Sequence, residues 1–124
     1  MKALSVRQPW AWAILHAGKT VENRSYPTGY RGLVAVHASA QPDRDGDVKL
    51  LAILGRYAGD VLDFGSLLGT VRVIGCVQDA DTYSKWAERG AWHWLLADPV
   101  AFAEPIPCKG RLGLWTVPEG LVAA

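Results

Sequence analysis

The chain has 124 residues, half of them hydrophobic, a tenth aromatic and a fifth charged, with a formal net charge of +1. A chain of this length buries about 65–70% of its unfolded surface around one core, so a single domain spanning residues 1–124 is expected, and the apolar content excludes a disordered chain. No apolar run reaches the ~18–20 residues of a membrane span, and MKALSVRQPW carries neither an apolar run of leader length nor a small-residue cleavage site, so a cytoplasmic protein is expected.

Residues 2–6, KALSV, suit a short strand, and Pro9 follows where a helix begins, because proline is tolerated in a first turn. PWAWAILHAG reads as that helix, with Trp10, Ala13, Ile14 and Ala17 on one face and Gly18 as its stop. Lys19 to Tyr26 alternates as a strand does, with Thr20, Glu22, Arg24 and Tyr26 on one side. PTGYRG is a turn, and LVAVHAS is a strand expected to be buried on both faces. Asp43, Asp45 and Asp47 precede VKLLAILGRY, and acids favour a helix N-terminus, which predicts a helix at about 46–58. No glutamate stands where a calcium loop needs one. LLGTVRVIGCV is a long strand ending near Gln78, and Asp81 to Arg89 reads as a short helix capped by Asp81. AWHWLLAD, VAFAEPIPC and LGLWTV complete the chain as three strands, the second broken by prolines. This order does not sustain βαβ alternation and predicts an α+β fold, a small closed or half-open barrel flanked by about three helices.

Cys76 and Cys108 stand far apart without CxxC spacing, and His16, His37 and His93 form no local ligand pattern. Buried, unpaired thiols and no metal are therefore expected. Trp12, Trp86 and Trp115 are assigned to the core, while Trp10 suits either core or site. Charge is uneven along the chain: residues 1–41 hold five basic residues against Glu22 alone, whereas residues 42–104 hold six basic and ten acidic ones. The positive field is thus local to the first third, a face for an anion rather than a basic coat.

Arg7 and Gln8 precede the first helix, and Lys19, Glu22 and Arg24 follow it. A strand returning beside the first brings the two groups together, and the free N–H donors of the helix start would join Arg7 and Gln8 in seating an anion or phosphate. Spacing alone leaves a second reading open, a structural network in which Glu22 neutralises Lys19 or Arg24.

The stretch LSVRQPWAWAILHAGKTVENRSYPTGYRG resembles the ASCH domain family, whose hallmark is a GxKxxExR-type motif after the first helix. Here the motif is Gly18, Lys19, Glu22 and Arg24, with the glycine directly before the lysine. Ser5, Gln8, Pro9, Trp10 and Ala11, together with LLGTVRVIGCV and IPCKGRLGLW, extend the resemblance over nearly the whole chain. The resemblance implies a PUA-like barrel with a cleft between barrel and first helix that binds RNA, another single-stranded nucleic acid or a modified nucleoside. It carries the cleft roles onto Lys19, Glu22 and Arg24. Arg7, Lys19, Arg24 and Arg31 suit phosphate, Trp10 and Tyr26 suit stacking on an unpaired base, and Glu22 can accept from a base amino group or orient the lysine.

The resemblance also implies an enzyme class. An amidohydrolase relative acting on N4-acetylcytidine uses a lysine, a threonine and a glutamate. Lys19 matches its lysine, but Glu22 stands at the nucleophile's place and Thr20 is out of register with it. A ribonuclease-like chemistry would use Lys19 and Glu22 as acid and base. Neither reading calls for a cofactor, and the choice between binding and hydrolysis stays open at this point.

Overall fold

The computed structural model describes residues 1–59 and 61–122. Strand β1 (Lys2–Val6) leads into helix α1 (Trp10–His16) and strand β2 (Val21–Arg24). Strand β3 (Gly32–Ala38), helix α2 (Gly46–Leu54), strand β4 (Ser66–Val77), strand β5 (Trp92–Pro107) and strand β6 (Leu114–Thr116) follow. The strands form one sheet in the order β2-β5-β4-β3-β1-β6, with β1 and β3 parallel and the other pairs antiparallel. The sheet curls into a half-barrel, and the whole is an α+β fold consistent with a PUA-like barrel.

Burial of α1 explains its place. Ala11 and Ile14 join Leu4, Val6, Val34, Val36 and Trp94 in one core cluster, while Trp12 and Ala13 join Leu50, Ala80 and Trp86 in a second. A helix apolar on both sides can be wedged between sheet and loop in this way. Its far end is closed over Gly18, whose φ of 74° suits glycine, and the Lys19 N–H donates to the Ala13 carbonyl at 3.1 Å. Trp12, Trp86 and Trp115 are buried as expected, and β3 is enclosed along most of its length.

Several expectations are corrected. Two α-helices form among the described residues rather than about three, because Asp81–Arg89 contributes only a 3-10 turn at Ala80–Thr82. The segment is tied to side chains outside it: the Glu88 N–H donates to Asn23 Oδ1 at 2.8 Å, and the Ala80 N–H just before it donates to His93 Nδ1 at 3.0 Å. Asp81 caps nothing there; the N-cap position falls on Asp79, which makes no side-chain cap bond. Helix α2 stops at Leu54 instead of 58, because Gly55 takes a left-handed cap with φ 77°. The strands read as AWHWLLAD and VAFAEPIPC are one, since a register shift beside Asp98, at φ 55°, lets Pro99 sit in the ladder as a bulge. Gly69 faces that irregularity, and a Cβ there would collide with the Val100 carbonyl oxygen. Cys76 and Cys108 are unpaired but half-buried rather than enclosed. No helix among the described residues is long and apolar enough to cross a membrane.

Candidate nucleic-acid interface

The C-terminal ends of the parallel strands β1 and β3 open into a cleft of about 810 Å³. Its walls come from Ser5–Arg7, Trp10, the Glu22–Arg24 run of β2, the Lys49 side of α2, and the segments around residues 85–88 and 108–113. The cleft is therefore wider in origin than a gap between barrel and first helix, since α1 supplies Trp10 alone.

At its floor lies the motif that follows α1. Lys19 Nζ donates to the Val21 carbonyl at 2.6 Å and to Glu22 Oε1 at 2.9 Å, and sits 5.5 Å from the centre of the Trp10 ring. Glu22 Oε2 accepts from Arg24 at 3.1 Å, so one carboxylate serves two cations. The side chains of Lys19, Glu22 and Arg24 are 3%, 8% and 18% exposed. The structural ion-pair reading holds, since the charges are paired, and the paired side chains also form part of the cleft wall. Arg24 also donates to the Ser5 carbonyl at 3.3 Å and to the Tyr26 hydroxyl at 3.3 Å, with its guanidinium 5.8 Å from the Trp94 ring centre. Trp10 is fixed in turn by its Nε1–H, which donates to Asp43 Oδ2 at 2.8 Å.

The other anticipated residues divide. Arg7 lines the cleft. Tyr26 is exposed beside Arg24, its hydroxyl close to Gly113 on the rim. Gln8 is 1% exposed and spent on structure: its Oε1 accepts from the Trp12 N–H at 2.9 Å and its Nε2 donates to the Asp63 carbonyl. It caps α1 where Pro9 cannot, and so occupies the helix N–H expected to meet an anion. Arg31 lies outside the lining, bonded to the carbonyls of Thr28 and Tyr30 in its own turn.

Sequence spacing missed four cations. Lys49, Lys85, Lys109 and Arg111 line the same cleft from three separate segments. Asn23 brings in the second of these, donating to the Trp86 carbonyl at 2.9 Å while accepting from Glu88. With Arg7, Lys19 and Arg24 the lining holds seven basic side chains against three acidic ones, Glu22, Asp43 and Glu88. Among the described residues no three His, Cys, Asp or Glu side chains gather as a metal site.

A curled six-stranded sheet with a Lys–Glu–Arg cluster after the first helix, set in the wall of a basic cleft, is an α+β fold consistent with a PUA-like barrel. The chain belongs to the ASCH domain family, whose model matches residues 4–106. It is 27% identical over 124 residues to Activating signal cointegrator 1 of Homo sapiens and 26% identical to the Mus musculus protein of that name. In both comparisons 90% of this chain is covered but only 21% of the relative, so the chain spans about a fifth of the length of the curated relatives it matches.

Proposed function

We propose that the cleft holds single-stranded RNA or a modified nucleoside, with phosphate oxygens on the cationic rim and a base against Trp10. The observation that carries this reading is the charge imbalance of the lining, seven cations against three acids in a chain whose net charge is only +1. Two of the cations are spent on Glu22. Arg7, Lys49, Lys85, Lys109 and Arg111 make no ion pair among the described residues, which leaves them for phosphate. Trp10 offers a ring held in place by Asp43, and stacking of a base on such a ring contributes about 1–3 kcal/mol. A hydrolase built on Lys19 and Glu22 draws no support from their geometry, because the two groups hold each other and Glu22 also holds Arg24.

Fluorescence anisotropy with a labelled single-stranded RNA, repeated across salt concentrations, tests the reading. The affinity is expected to fall with salt, each phosphate contact contributing about −0.7 to the log–log slope. Lys109 and Arg111 are exposed, so the double variant Lys109→Ala, Arg111→Ala keeps the fold and is expected to flatten that slope by about 1.4. An unchanged slope would remove the rim from the binding site.

A further inference from the structure

Ser5 and His37 are partners across the parallel pairing of β1 and β3, so their side chains leave the sheet on one face, and both line the cleft. His37 is 1% exposed, yet each ring nitrogen is engaged. Nε2 lies 2.6 Å from the Cys108 carbonyl oxygen, and Nδ1 lies 3.2 Å from Ser5 Oγ. A carbonyl only accepts, so Nε2 carries the hydrogen, and in the neutral ring Nδ1 is left as an acceptor. The Ser5 hydroxyl therefore donates to His37, while its oxygen accepts from Trp115 Nε1 at 3.1 Å. The Trp115 ring meets the imidazole edge-on, with centroids 5.4 Å apart, and holds its plane. Gly110 lies against both groups: a Cβ there would come within 2.8 Å of Ser5 Oγ and 2.6 Å of His37 Cε1, so only glycine lets this loop cover the pair.

We propose that Ser5 and His37 form a nucleophile–base pair for hydrolysis of an acyl ester or amide bound in the cleft. The arrangement has the parts such chemistry needs: a hydroxyl on a cleft-lining residue, a base within hydrogen-bond reach of it, and a third group, the Cys108 carbonyl, orienting the base. As Ser5 Oγ bonds to the acyl carbon, its proton passes to His37 Nδ1. That proton then goes to the alcohol or amine that departs as its bond to the acyl carbon breaks. Water attacks the acyl-serine and gives a proton to His37, which returns it to Ser5 Oγ as the carboxylic acid is released. Water is the sole co-reactant.

The inference stands apart from nucleic-acid binding, and its test uses no nucleic acid. The folded protein is treated with a fluorophosphonate probe and the adduct is mapped by mass spectrometry. A single adduct on Ser5 is expected, absent in Ser5→Ala and formed at least about 100-fold more slowly in His37→Asn, which keeps an acceptor beside the hydroxyl but loses the base. Thermal melts of both variants verify that they are folded. The mapping on the unaltered chain stands even if a variant unfolds: no adduct on Ser5 would overturn the proposal. So would labelling at the same rate in a folded His37→Asn protein, because a serine held only for structure gains nothing from a base.

Discussion

Replacing Glu22 with alanine is expected to lower the free energy of unfolding by about 3–5 kcal/mol, the range seen when one partner of a buried ion pair is removed. The reason is the position of Lys19. Its side chain is 3% exposed, and with Glu22 gone its ammonium keeps the Val21 carbonyl as its remaining hydrogen-bond acceptor. Arg24 contributes less to the loss, because at 18% exposure its guanidinium still reaches water and retains the Ser5 carbonyl. Urea unfolding of Glu22→Ala checks the figure. The double variant Lys19→Met, Glu22→Gln, which removes both charges of the pair, is expected to recover part of the loss. A loss below about 1 kcal/mol in the single variant would mean that water, not Glu22, compensates Lys19.

Trp94→Ala is expected to cost a similar amount, about 3–5 kcal/mol, by opening a cavity that the surrounding strands cannot close. Trp94 is fully buried at the register position facing Glu22, and its ring is the wall on which the site rests. Tyr26 meets it edge-on at 5.6 Å, Arg24 lies 5.8 Å above it, and its Nε1 donates to the Tyr26 carbonyl at 3.0 Å. The mutation therefore frees the Arg24–Tyr26 side of the cleft as well as weakening the core. Trp94→Phe keeps most of the bulk and loses the hydrogen bond, so its expected cost is about 1–2 kcal/mol. Denaturant unfolding distinguishes the two, and equal losses would show that packing is not what Trp94 supplies.

The first third of the chain was the most legible, because its signals are local. Pro9 and Gly18 bracket a helix, and Lys19, Glu22 and Arg24 fall within six residues, so their meeting needs no long-range contact. Gln8 caps the helix, and the sequence does not reveal this, because polarity next to a helix start looks the same whether the side chain faces a ligand or caps the helix. Arg31 sits only a few residues beyond the motif, yet its turn carries it out of the cleft. Lys49 and Lys85 belong to the stretch 42–104, where acids outnumber bases, Lys109 and Arg111 stand far along the chain from the motif, and the four meet only because loops fold back over one end of the sheet. Asn23 and His93 anchor one such loop through two hydrogen bonds each, a link that no periodicity encodes. His37 shows no local ligand pattern in the sequence, and its partner Ser5 stands 32 residues away; strand register joins them, and register is decided by pairing partners rather than by either strand alone. The helix expected at 81–89 failed for a related reason, since the Glu88 N–H within it is claimed by the distant Asn23 side chain.

The claim on which the account rests is that the cations lining this cleft converge on one nucleic-acid ligand. Titrating the isotopically labelled protein with a short single-stranded RNA and following the Trp10 indole and the Arg24 guanidinium by NMR tests it most directly. The account predicts progressive shifts at those two groups and across 109–113, with Arg31 and Arg72 unmoved. Shifts confined to Arg31 or Arg72, or none at saturating RNA, would contradict it.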